Sequence, residues 1–171
     1  RRLECFEKGL ELAKKAGHIQ SIAGFGLALA GRHFGMGNID KGLALAEESD
    51  ALNRKIGHLF SLSNSKLALG GYYHGLGELN KSEQYLREAL NISLEINNTQ
   101  QISTSYGYLG FSYHDRGEYV QAREYFEKMS EIYEKTGKKA IQISNYQWLA
   151  MNYIELSKIE KARALLDELH K

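Results

Sequence analysis

The sequence predicts an all-α array of stacked helical hairpins, and three observations predict it. Gly37, Gly77 and Gly117 recur at an interval of 40 residues, with Ser157 in the fourth slot, and Gly17, Gly57, Asn97 and Gly137 keep the same interval half a repeat out of phase. Two further series run through Leu29, Leu69, Leu109 and Leu149 and through His33, Tyr73, Tyr113 and Tyr153. Between these points apolar residues fall at the i, i+3, i+4, i+7 spacing of a helix face, and no segment alternates as a strand would. A period between about 20 and 50 residues marks an array in which each unit buries its apolar face against its neighbours.

The spacing predicts helices over 1–16, 19–36, 40–56, 59–76, 80–96, 99–116, 120–136, 139–156 and 160–170. The first carries Glu4 with Lys8 and Glu11 with Lys15, pairs four apart that support an exposed helix face. Cys5 within it reads as a small apolar residue. The second and fourth helices hold Gly24, Gly26, Gly31, Gly35, Gly70, Gly71 and Gly75, each costly in a helix interior, so that close helix contact or close approach of a ligand is expected there. Gly37, Gly77 and Gly117 follow their helices as left-handed closing residues, and Asn38 and Glu118 start the next ones. Glu83 with Arg87 and Glu124 with Lys128 repeat the surface pairing. In the seventh helix Tyr119, Ala122, Tyr125, Phe126, Met129, Ile132 and Tyr133 trace one stripe. Connections this short force antiparallel neighbours, so each unit is a helical hairpin. Four hairpins preceded by a lone helix fill the chain, with boundaries at 1–17, 18–57, 58–97, 98–137 and 138–171. Leu165, Leu166 and Leu169 on the last helix predict a homodimer through that face unless further residues cover it.

Composition excludes several classes. The 22 basic and 21 acidic residues nearly balance and are dispersed, which argues against nucleic acid and against an anionic membrane surface. No run reaches the ~18 apolar residues of a membrane helix, and no charged-then-apolar leader is present. One cysteine allows no internal disulfide and no cysteine-based zinc cage, which suits a reducing, cytoplasmic setting. The chain begins at Arg1 inside a periodic segment, so it reads as part of a longer protein.

These residues resemble the tetratricopeptide repeat family. Tyr106, Leu109, Gly110, Tyr113, Gly117, Tyr119, Ala122, Phe126 and Met129 occupy its signature positions in the third unit. The second offers Leu69, Gly70, Tyr73, Gly77, Leu79, Ser82, Leu86 and Ala89; the fourth Tyr146, Leu149, Ala150, Tyr153, Ile159, Ala162 and Leu166. The first offers Leu29, Ala30, His33, Gly37, Ile39, Gly42 and Ala46, with Phe6 of the lone helix in the slot of Phe126. The family unit is usually about 34 residues. The longer unit here, without proline, is similar to the arrays of maltose-regulator-type activators, signalling scaffolds and kinesin light chains. The resemblance implies a right-handed superhelical solenoid of about nine helices that binds peptides, partner proteins or small inducers.

In that family the first helix of each hairpin lines a concave groove. The resemblance therefore implies a lining of Leu27, Gly31 and Phe34 from the first unit and Asn64, Leu67, Gly71 and His74 from the second. Thr104, Phe111 and His114 come from the third, and Gln147 and Met151 from the fourth, with Gly24, Gly107, Ser144 and Ile154 beside them. A carboxylate clamp needs Lys, Arg and Asn, and only Asn64 of this set qualifies.

Catalytic constellations are absent from the sequence. The run Gly70 to Gly77 lacks the Lys-Ser/Thr ending of a phosphate loop and the strand before it. There is no Gly-x-Ser-x-Gly elbow. His74 and His114 have no acidic or thiol ligand beside them, so no metal site is expected. Glu47, Glu48, Glu131 and Glu134 read as solvated carboxylates rather than a tuned acid–base pair. The expectation is a non-enzyme without cofactor: an interaction module whose groove takes a peptide or helix of a partner protein. The alternatives are a segment of a bacterial or archaeal regulator that senses a small ligand or peptide, or an accessory region of a signalling ATPase, cyclase or kinase.

Overall fold

The computed structural model describes residues 2–137 and 139–168. Among these, every element is helical: α1 (Arg2–Lys15), α2 (Ile19–Gly35), α3 (Ile39–Ile56), α4 (Leu59–Gly75), α5 (Leu79–Glu95), α6 (Thr99–Asp115), α7 (Tyr119–Thr136), α8 (Lys139–Glu155) and α9 (Ile159–Glu168). The fold is an all-α solenoid of helical hairpins. It falls into two compact units, Arg1–Asn98 with α1–α5 and Thr99–Lys171 with α6–α9.

The two punctuation series are the backbone's left-handed residues. Gly17, Gly37, Gly57, Gly77, Gly117 and Gly137 all have φ between 65° and 81°, and Asn97 (52°) and Ser157 (57°) are the non-glycine residues that share the conformation. A left-handed residue every twenty positions follows the first eight helices, directly at Gly57 and Gly137 and after one intervening residue at the others. At Gly37 the amide donates to Phe34 O (3.0 Å) and the Asn38 amide to His33 O (2.9 Å), so the last carbonyls of α2 are satisfied as the chain reverses. Gly77 with Glu78 and Gly117 with Glu118 repeat the pair of bonds.

Helix starts fall where the spacing predicts, but side-chain capping is found elsewhere. Asn38 and Glu118 do precede α3 and α7, but neither side chain bonds the first turn. The side-chain caps are His18 and His58, whose Nδ1 accepts from the amides of Ser21 (3.3 Å) and Ser61 (3.4 Å) and meets the same serine hydroxyls at 2.8 Å. Cys5, read as a small apolar residue, is exposed. Only the inward face of α1 is covered, at Ala13, and Cys5 lies off that face.

In the first unit Ala30, Ala46, Leu69 and Tyr73 form the core, with Leu27, Leu43, Leu45, Tyr72 and Tyr85 packed around them. In the second, Tyr113, Ala122, Phe126, Met129, Tyr133 and Leu149 are buried beneath Tyr106, Phe111, Tyr125, Trp148, Tyr153 and Leu165. Phe126 is fully buried. Truncating such a ring to alanine costs about 3–5 kcal/mol, which makes it the anchor of its hairpin.

The first unit also buries a charge. Lys66 on α4 is 3% exposed, yet its Nζ reaches Asp50 on α3 (3.0 Å) and Glu88 on α5 (2.9 Å) and lies 4.9 Å from the centre of the Tyr85 ring. Ser65 donates to the other Asp50 oxygen at 2.8 Å. Burial alone would lower the Lys66 pKa; the bonds to Glu88 and Asp50 and their charges outweigh it and hold it above the ordinary lysine value. Burial pulls the Glu88 carboxyl the opposite way from Lys66, whose bond and charge win and hold it below the usual carboxylate value. The interior here is thus a paired charge rather than an apolar seam.

Candidate functional site

In the first unit the expected lining residues divide between contact with neighbours and contact with solvent. Leu67 is buried, Leu27, Asn64, Gly71 and His74 are half-buried, and Phe34 is half-buried because its ring stacks on Tyr72 of α4, 4.4 Å between centroids at 19°. The approach is reciprocal. A Cβ added at Gly31 on α2 would stand 3.2 Å from the Tyr72 hydroxyl, and one at Gly75 on α4 would stand 3.5 Å from the Phe34 ring. Each helix sets a glycine beside the other's ring; the contact is tight enough to favour glycine at Gly31, whereas a methyl at Gly75 would make ordinary van der Waals contact. Gly26 against Ser49 and Gly70 against Leu86 are packing glycines, whereas Gly24 and Gly35 face open space.

In the second unit Phe111 on α6 is half-buried among Trp148 (4.8 Å), Phe126 (5.3 Å) and Tyr108 (6.2 Å). Beside it, the His114 Nδ1 donates to the Asn152 side-chain oxygen at 3.4 Å, and the imidazole meets Trp148 and Tyr119 edge-on. Thr104 spends its hydroxyl on Gln100 O within its own helix, at 2.9 Å. What reaches solvent is a stripe on α8: Ile143 (45% exposed), Gln147, Met151 (46%) and Ile154 (49%), three or four residues apart and so on one face. Gln147 and Met151 therefore stand as an accessible pair, while Phe111 and His114 are held in the ring cluster. Trp148 and Tyr72 organise the two surfaces, and sequence reading missed both. Their signal was faint: each is adjacent to a signature residue, Leu149 and Tyr73, and so was credited to the spacing of its neighbour.

Two of the carboxylates read as solvated are hydrogen-bonded. Glu47 accepts from the Tyr73 hydroxyl (3.1 Å) and Glu134 from that of Tyr146 (3.0 Å), and Glu127 accepts from Tyr153 (2.8 Å). Burial, then the bond to the carboxylate, pushes Tyr73 and Tyr153 up to about 12. Among the described residues no three His, Cys, Asp or Glu side chains converge as a metal site would need, and no helix is long and apolar enough to cross a membrane. On the last helix Leu165 packs against the Phe126 cluster and Leu166 is 37% exposed, while Leu169 lies outside the described residues.

Comparison with known proteins agrees with this architecture. The tetratricopeptide repeat profile matches residues 63–100 and again 101–171. Among solved structures, BtubC (BKLC) from P. vanneervenii superposes with a TM-score of 0.88 at 19% identity, over 96% of this chain and 69% of that one. Aspartyl phosphate phosphatase F from Bacillus subtilis gives 0.87 at 13% identity, over 95% and 43%. A Rap protein complexed with competence and sporulation factor gives 0.85 at 16% identity, over 98% and 46%, so this chain spans less than half of the latter two. At such identities the likeness is one of fold. No curated protein sequence matches the chain. With the signature residues recurring through the array and the profile matching two stretches of it, the chain belongs to the tetratricopeptide repeat family.

Proposed function

We propose that this chain is a non-catalytic interaction module, built as a lone helix and four hairpins (1–17, 18–57, 58–97, 98–137 and 138–171), that docks an apolar peptide or amphipathic helix of a partner protein. The carrying observation is the α8 stripe of Ile143, Gln147, Met151 and Ile154. Large apolar side chains left half in water along one helix face are what a partner's apolar stripe would cover, with Gln147 to fix its register. The Rap protein complexed with competence and sporulation factor lends support at the level of fold.

The variant to use is Met151→Glu with Ile154→Glu. Both residues are exposed, so the fold survives, whereas Phe111→Asp would place a charge against Phe126 and Trp148. Peptides selected from a display library on the unaltered chain should bind the variant at least about tenfold more weakly, the loss of about 1.4 kcal/mol. Equal affinity at equal helicity would move the site off α8 and sink this reading.

A further inference from the structure

A cavity of about 290 Å³ opens between α1, α2 and α3. Leu10, Leu29 and Leu45 line it, with Glu7, Glu11, Lys14 and Lys41 around them and the buried His33 at one side. Its volume is near the lower bound of about 300 Å³ for ligand pockets, the scale of a single ring rather than a drug-sized molecule.

The repeat explains what is missing. Forty residues on, Glu7, Leu29, His33, Lys41 and Leu45 become Glu47, Leu69, Tyr73, Lys81 and Tyr85. There Tyr73 donates its hydroxyl to Glu47 at 3.1 Å, Lys81 Nζ lies 4.9 Å from the Tyr73 ring centre, and Tyr85 stacks on the same ring at 5.5 Å. The second unit repeats the set as Glu127, Leu149, Tyr153, Lys161 and Leu165. Tyr153 donates to Glu127 at 2.8 Å, with Lys161 Nζ 5.9 Å from the ring centre. At α1–α3 the carboxylate, the lysine and the leucine floor are all retained, and the phenol is not. His33 stands in its place, its Nδ1 accepting instead from the Asn38 side-chain amide in the α2–α3 turn at 3.4 Å.

We propose that this cavity binds a phenol ring, with Leu29 and Leu45 against the ring, Glu7 accepting its hydroxyl and Lys41 over its face, as the protein's own tyrosines are held one and three repeats further on. The ring can come from a free phenolic small molecule or from a tyrosine side chain. The cavity belongs to the first unit and the α8 stripe to the second, and neither site depends on the other. The hydroxyl supplies the selectivity, because a hydrogen bond to a carboxylate is roughly twice as strong as a neutral one.

The test is two-dimensional NMR titration of the intact chain with p-cresol, toluene and the capped tripeptide Gly-Tyr-Gly. Shifts confined to residues of α1–α3, with p-cresol binding about tenfold tighter than toluene, are expected. Binding of p-cresol without the tripeptide identifies a free phenol as the source; binding of both identifies a tyrosine side chain. His33→Tyr should raise the melting temperature and abolish p-cresol binding, because it supplies the ring internally. Glu7→Gln, at an exposed position, should weaken p-cresol and leave toluene unchanged, which keeps the test decisive if His33→Tyr fails to fold. Toluene binding as tightly as p-cresol, p-cresol binding unaffected by Glu7→Gln, or no binding at all would overturn the assignment.

Discussion

Gly110 and Phe126 pack so closely that a Cβ on Gly110 would stand 2.7 Å from Cε1 of the Phe126 ring. Phe126 is wholly buried and Gly110 is buried with it, so nothing nearby can yield. Gly110→Leu should therefore destabilise the second unit by about 1–3 kcal/mol through overfilling. Urea unfolding followed by circular dichroism measures it, and an unchanged midpoint would mean that the α6–α7 hairpin is packed in another register.

Ser157 carries a side chain at φ 57°, where its counterparts at six other turns are glycine. A left-handed L-residue costs about 1–2 kcal/mol, partly offset in glycine by greater chain entropy. Ser157→Gly should raise stability by about 1 kcal/mol and lift the melting temperature. Asn97→Gly should gain less, because asparagine tolerates the conformation. Equal gains, or a loss at Ser157, would refute the strain.

Removing the buried cation should be costly. Lys66→Met leaves Glu88 without its lysine and Asp50 with only the exposed Arg54, 3.8 Å away, and the loss should be about 3 kcal/mol, since Glu88 keeps part of its hydration. The sign of the pH effect follows from the shifts. Glu88 is held below its ordinary value, so its contribution is full above the unfolded glutamate value of about 4.3 and is lost as pH falls through the lower folded one. Lys66 is raised, so its contribution is full below 10.5 and lost as pH climbs through the folded value above it. A urea midpoint that falls on acidification in the unaltered chain should fall less in Glu88→Gln.

Tyr73 and Tyr153 are raised to about 12, which stabilises the fold fully below the unfolded value of about 10 and progressively less as pH rises towards 12. Tyrosinate absorbance should show these two groups ionising near pH 12, together with loss of helicity. In Tyr73→Phe with Tyr153→Phe the late step should vanish; its persistence would mean that other tyrosines carry it.

What was legible in the sequence is what the backbone decides locally. A left-handed turn every twenty residues demands glycine or a tolerant substitute, so Gly17 through Ser157 announced the helix ends and thereby the hairpins. Packing glycines were legible as a class, but which contact each one made was not: Gly31 answers Tyr72, 41 positions away, and only the fold brings them together. The groove was drawn by position in the repeat, which treats every unit alike. Ring contacts make them unlike, stacking Phe34 on Tyr72 and setting Phe111 edge-on to Trp148 while Met151 is left in water. Lys66 was passed over because a lysine in a helix ordinarily lies on the solvated face, and nothing nearby in sequence shows that Asp50 and Glu88 converge on it. His18 and His58 were missed as caps because histidine is not among the residues usually favoured there.

The Asp50–Lys66–Glu88 cluster has a bearing on how such a chain can change by duplication and loss. The residues forty positions apart that occupy the place of Lys66 are Gly26, Tyr106 and Tyr146, so no other unit carries a cation there. A descendant that lost residues 58–97 would present Asp50 with Tyr106 in that place and leave a buried carboxylate balanced only by the exposed Arg54, 3.8 Å away. Units built on one helical plan have in this way ceased to be interchangeable, and the array can grow or shorten readily at its ends but not across α3, α4 and α5.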